Sequence, residues 1–106
     1  MTSNRLDELR KMLLTEPEDA FLQYALALEL EKEGNVLSAI IRMKDLLRKN
    51  EDYLGAYYKL GVLLDQTGQK VEAKEVFLKG MIVAKGQNNT KTYRELNEAL
   101  QNLEEE

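Results

Sequence analysis

Apolar residues in this chain recur three and four apart, and several positions return after 34 residues: Tyr24 as Tyr58, Leu26 as Leu60, Leu30 as Leu64, Gly34 as Gly68 and Ala39 as Ala73. Spacings of three and four stack side chains on one face of a helix. A period of that length, with an apolar stripe before each Gly and an Ala after it, predicts an array of helix–turn–helix repeats.

The first stripe, Leu6, Leu9, Met12 and Leu13, predicts a helix that begins after Ser3-Asn4. Thr15-Glu16-Pro17-Glu18 stops it and starts another. Thr15 with Glu18 fits a capping box, and Pro is tolerated in a first turn because its missing N–H has no intrahelical partner there. The second helix runs from about Pro17 to Glu33. It is apolar through Phe21, Tyr24, Ala25 and Leu28 and again through Leu26 and Leu30, so two buried faces are expected. Gly34-Asn35 supplies a left-handed end. The third helix uses Leu37, Ile40, Ile41, Met43 and Leu47 and stops near Asn50-Glu51-Asp52.

A matching pair follows. Tyr57, Leu60, Gly61 and Leu64 lead into Thr67-Gly68-Gln69, and Val71, Ala73, Val76, Phe77, Met81 and Ala84 lead into Gly86-Gln87-Asn88-Asn89. A sixth helix begins near Thr90 and carries Tyr93, Leu96, Leu100 and Leu103 before the acidic end Glu104-Glu105-Glu106. No useful length alternates apolar and polar residues with the strand period of two. The expected fold is all-α, with six antiparallel helices.

Composition narrows the chemistry. The 106 residues make one domain, with 43% apolar, 32% charged and 7% aromatic residues and a single Pro. Cys is absent, which excludes disulfides and thiolate metal sites and gives secretion no support. His is absent too, removing the commonest metal ligand and the most readily exchanging proton carrier near neutral pH. Carboxylate pairs such as Glu31 and Asp65 are ordinary on an acidic helical surface, and there is no Gly-rich phosphate loop or nucleophile motif. The chain is expected not to be an enzyme and to need no cofactor or metal. A net charge of −4 argues against a nucleic-acid partner. No apolar run is long enough to span a bilayer, and charged residues interrupt the N-terminus before a signal core could form. The expected location is the cytoplasm.

The 34-residue unit resembles the tetratricopeptide repeat (TPR). That family places large or aromatic residues at positions 4 and 11, Leu at 7, small residues at 8, 20 and 27, and an aromatic at 24. With Leu54 as position 1, Tyr57, Leu60, Gly61, Leu64, Ala73, Phe77 and Gly80 fall on 4, 7, 8, 11, 20, 24 and 27. With Ala20 as position 1, Leu26, Ala27, Leu30, Ala39 and Met43 match, while Gln23 and Leu46 depart at 4 and 27. Glu51 and Lys85 stand where the family has Pro at 32. Pro17 lies 34 residues before Glu51, so the first helix is the second half of a degenerate repeat. Tyr93, Leu96 and Leu100 match 4, 7 and 11 once two extra residues are allowed between Gly86 and Thr90. The resemblance therefore implies a TPR-like right-handed superhelix covering 1–106: a half-repeat helix at 4–15, repeats at 20–53 and 54–87, and a capping helix at 90–104. It looks like small stand-alone bacterial TPR proteins.

In that family the first helices of successive repeats line a concave groove. Carried over, its lining is Phe21, Tyr24, Leu28, Glu31 and Lys32, then Gly55, Tyr58, Val62, Asp65 and Gln66, then Lys91, Arg94 and Glu98. The resemblance implies capture of a peptide or protein segment across Tyr24 and Tyr58, with Lys91 or Arg94 meeting a carboxylate. One TPR subclass holds chaperone C-termini in a clamp of Lys, Asn and Arg residues. Here Tyr24 and Leu28 occupy its first-helix positions and Lys59 replaces its second-helix Asn, so the clamp is absent. The alternative is a structural role, as a permanently docked subunit or a homodimer zipped through Tyr93, Leu96, Leu100 and Leu103, although terminal helices also carry such stripes merely to cover the last repeat. The run Glu104–Glu106 is expected to be a solvated, frayed end.

Overall fold

Six helices make up the computed structural model, which describes residues 4–106: α1 (Asn4–Thr15), α2 (Ala20–Lys32), α3 (Val36–Lys49), α4 (Gly55–Gln66), α5 (Lys70–Gly86) and α6 (Thr90–Glu104). Among the described residues there is no strand, and the all-α reading stands.

The turns explain where the helices stop. Gly34 and Gly68 leave α2 and α4 at φ +90° and +81°, a region an L side chain rarely enters. The next amide in each case donates back into the helix, Asn35 to the Leu30 carbonyl at 2.8 Å and Gln69 to the Leu64 carbonyl at 2.8 Å. These are the long bonds of a Schellman ending. A third such ending uses Asn88 at φ +57°, with the Asn89 amide donating to the Ala84 carbonyl at 2.9 Å. It closes α5, which is 17 residues long against 14 for α3. The extra chain expected between Gly86 and Thr90 is thus mostly taken up as helix.

The start of α2 differs from expectation. Thr15 closes α1, its hydroxyl donating to the Met12 carbonyl at 2.9 Å, and the Thr15–Glu18 capping box does not form. Pro17 disfavours helical geometry at Glu16, so the chain turns there and α2 begins only at Ala20. Asp19 is the cap, accepting from the Leu22 amide at 2.9 Å, and a carboxylate serves that position as well as a hydroxyl does.

The chain divides into two compact units, separated between Asn50 and Glu51. In the first, α2 packs on α1 and α3, burying Leu6, Leu9, Leu22, Leu26, Leu30, Ile40 and Met43. In the second, α5 packs on both α4 and α6, burying Tyr57, Leu60, Leu64, Phe77, Leu96 and Leu100. Gly80 lies where these three helices crowd: a β-carbon there would stand 2.7 Å from Cβ of Tyr57 and 3.0 Å from Cδ1 of Leu96. The stripe Leu96, Leu100 and Leu103 is buried, so it serves as cover for the α4–α5 hairpin.

Several apolar positions expected in the core are outside it. Met12, Leu37, Ile41 and Val71 are exposed, because each lies beside its helix's buried stripe rather than on it. The second apolar face of α2 is likewise open: Phe21 is 63% exposed, and Tyr24, Ala25 and Leu28 are half-buried. The acidic end is exposed, as expected, and two of its carboxylates are paired. Glu106 and Glu104 pair with Lys70 and Lys74, fastening the end of α6 to the first two turns of α5.

Candidate functional site

The open face of α2 forms one side of a cleft of about 320 Å³, lined by Phe21, Tyr24, Ala25, Leu28, Glu29 and Lys32 with Arg5 from α1. Three residues expected in the groove, Phe21, Tyr24 and Leu28, are brought together here because they lie at i, i+3 and i+7 of one helix. Lys32 and Arg5 put positive charge at its edges, against the single carboxylate of Glu29.

Arg5 was not among the expected residues, and the repeat register contains the signal for it. It stands 34 residues before Ala39, at the position where the two full repeats bury Ala39 and Ala73. An exposed Arg at a position reserved for a buried small residue marks a helix face freed from packing.

In the second unit Tyr58 projects from α4. Its ring lies 6.4 Å from that of Phe77, tilted by 50°, so the aromatic body is held while 44% of the residue stays exposed. It lines a cleft of about 220 Å³ with Glu95, Glu98, Ala99 and Asn102 of α6. Val62, one turn further along α4, is half-buried and is not among the lining residues.

The basic pair Lys91 and Arg94 is exposed on α6, but neither lines the Tyr58 cleft. The charged side chains that do are acidic, Glu95 and Glu98. Residues four and seven apart share a face, so Lys91 lies on the face of Glu95, Glu98 and Asn102 but a turn earlier. The stretch of α6 that lies beside Tyr58 presents Glu95, Glu98, Ala99 and Asn102. The family register assigned α6 residues to the groove by number. The packing of α6 on α5, with α4 alongside, decides which of them face Tyr58.

Other charges serve the scaffold. Lys70 holds Asp65 at 2.9 Å and also Glu106. The two carboxylates, Glu106 foremost, raise the Lys70 ammonium above its ordinary value, and hydrogen bonding from Lys70 holds Asp65 below the usual carboxylate range. Asp65, expected in the groove, is thus engaged in this surface network. Among the described residues no group of three or more His, Cys, Asp or Glu is placed to hold a metal ion. No helix is long and apolar enough to cross a membrane.

No family model and no curated protein matches the sequence closely. Solved structures do. A tetratricopeptide repeat domain protein from Salinibacter ruber, in its NMR solution structure, is 34% identical with a TM-score of 0.80, over 83% of this chain and 89% of that one. In its crystal structure the values are 32% and 0.77, over 81% and 96%. The TPR2B domain of yeast Sti1, in complex with pHsp70, shares the fold at 19% identity with a TM-score of 0.86, over 94% of this chain and 80% of that one.

Proposed function

This chain belongs to the tetratricopeptide repeat family, and on that premise we propose that it is a non-catalytic protein-interaction module. Its ligand is a peptide or protein segment, taken on the first-helix faces of its repeats. Phe21, Tyr24 and Leu28 carry this contact in the first unit and Tyr58 in the second, with Val62 beside it.

The observation that carries the reading is the open apolar face of α2. Phe21 is 63% exposed at the rim of a cleft floored by half-buried Tyr24 and Leu28. A single exposed aromatic on a soluble protein is unremarkable. An aromatic pair with an aliphatic floor and charged rims has the make-up of a peptide-binding surface, since rigid aromatics lose little entropy on binding. The Sti1 domain of the same fold is in complex with pHsp70, which supports a peptide as ligand. Tyr24, Leu28 and Lys59 here replace polar clamp residues of the chaperone-binding subclass, so the ligand differs from a chaperone tail.

Selection from a random peptide display library tests this. Peptides enriched on the wild-type chain are expected to lose binding to a Phe21→Ala, Tyr24→Ala double variant of unchanged melting temperature. Enriched peptides that ignore both substitutions would overturn the assignment of this face.

A permanently docked or self-associating subunit is favoured by a different observation: Leu37 and Ile41 on α3 and Val71 and Ile82 on α5 are exposed. Leu100 is buried, so a charge there would disturb folding rather than assembly. Ile82→Glu is the discriminating variant. Light scattering after size exclusion that finds a dimer, converted to monomer by Ile82→Glu, would favour this second reading.

A further inference from the structure

We propose that the Tyr58 cleft of the second unit takes a basic segment of the partner, with a Lys or Arg side chain seated between the Tyr58 ring and the carboxylates of Glu95 and Glu98. This rests on the protein-interaction reading and names the ligand chemistry of one of its surfaces.

The argument is charge complementarity at a shaped site. The cleft has one aromatic ring, two carboxylates, the Asn102 amide and a small floor residue, Ala99, which leaves room for an entering side chain. No cation lines it. Among the described residues, neither Glu95 nor Glu98 closes an ion pair or a side-chain hydrogen bond, and the Tyr58 hydroxyl has no partner. Lys91 and Arg94 lie one turn before the two glutamates on α6, the order in which basic and acidic residues attract least along a helix, and they close no pair with them.

Tyr58 is steadied by Phe77 at 6.4 Å, so an aromatic surface is preorganised to stack a guanidinium or ammonium. The Glu95 and Glu98 carboxylates that line the same cleft supply charge-assisted acceptors of the kind a guanidinium or ammonium pairs with. The expectation from sequence has Lys91 or Arg94 meeting a ligand carboxylate; neither residue lines this cleft, whose own charges are the carboxylates of Glu95 and Glu98. The first unit's cleft, with Arg5 and Lys32 against Glu29, has the opposite balance, so a basic segment is selected at the second unit's cleft and not at the first.

The test is NMR titration of the 15N-labelled full chain with two synthetic peptides of identical length and apolar sequence, one carrying arginines and one glutamates. The arginine peptide is expected to shift the amides of Tyr58, Glu95, Ala99 and Asn102, and its affinity is expected to fall about tenfold or more in a Glu95→Lys, Glu98→Lys variant and to weaken with salt. Glu95 and Glu98 are exposed, so the variant should keep its fold, as circular dichroism will show. Equal binding of the arginine peptide to wild type and variant overturns the proposal, as does perturbation of this cleft by the glutamate peptide alone. Perturbation confined to Phe21 and Tyr24 also overturns it, while leaving the protein-interaction reading in place. No binding of either peptide at either surface overturns both.

Discussion

A β-carbon on Gly61 would stand 2.7 Å from both Cδ1 and Cζ of Phe77 and nearer still to Cε1. Helices α4 and α5 therefore approach to a separation that only Gly permits against a Phe ring. The first unit meets the same requirement differently, with Ala27 and Met43 at the equivalent positions, both fully buried. A smaller backbone neighbour with a large rigid ring has been exchanged for a larger neighbour with a flexible thioether.

Gly61→Ala should consequently destabilise the protein. Overpacking typically costs about 1–3 kcal/mol, partly offset by about 0.5–1 kcal/mol gained from replacing Gly inside a helix. Adding Phe77→Met, which recreates the Ala27 and Met43 combination, should recover most of the loss. Urea unfolding of the two single variants and the double variant measures the coupling. Strictly additive effects would rule out direct interference between the two sites.

Gly80→Ala should be less forgiving than Gly61→Ala. The obstructing atom is Cβ of Tyr57 at 2.7 Å, which moves only with its backbone. The expected readout is faster amide exchange along α6, whose Leu96 Cδ1 would stand 3.0 Å from the added β-carbon. Protection in α6 equal to wild type would contradict this packing.

Tyr57 binds its own unit together through its hydroxyl, which donates to the Glu51 carbonyl at 2.6 Å. Tyr57→Phe should cost about 0.5–1.5 kcal/mol. Burial, then the negative charges of Glu51 and Asp52, push the Tyr57 phenol above its ordinary value of 10.0. The folded state thus holds the proton more tightly than the unfolded chain. Its contribution is fully present below that value and is lost as pH rises beyond it. Stability measured through alkaline pH should fall, and Tyr57→Phe should flatten the fall.

At the other end of the pH scale, Asp65 lies below the usual carboxylate range because Lys70 hydrogen-bonds to it. Its contribution is present above the ordinary carboxylate value and is lost as pH falls through the depressed one. Lys70→Met should loosen the last turn of α6 through loss of Glu106 and Asp65 together. Lys70 and Glu106 are exposed and Asp65 is half-buried at the surface, so the global melting temperature should scarcely move while amide exchange near Leu103 quickens.

Much of the architecture is legible in the residues themselves. The stripe spacing marks six helices, and Gly34 and Gly68 mark two of the left-handed endings, because helix period and positive φ are local properties of a chain. The packing pairs are legible too: Gly61 with Phe77 follows from one small and one large residue at fixed repeat positions. Asp19 was missed as the cap of α2 because Thr15 offered an equally good local signal, and only the position of the Pro17 turn separates the two.

The exposed faces belong to tertiary structure. Whether Phe21 is core or surface depends on what lies beside α2, and hydrophobicity along the helix is the same in either case. The α6 residues that meet Tyr58 depend on where that helix lies along α5: Lys91 shares the face of Glu95 and Glu98 but stands a turn before the cleft, and Arg94 stands a turn before Glu98. The sequence by itself determined the repeat, the helices and the small residues that let them pack, since these depend on neighbours within a few turns. Only the tertiary structure decided which apolar faces stay open and what charge borders them, because that depends on side chains from different helices converging at one place.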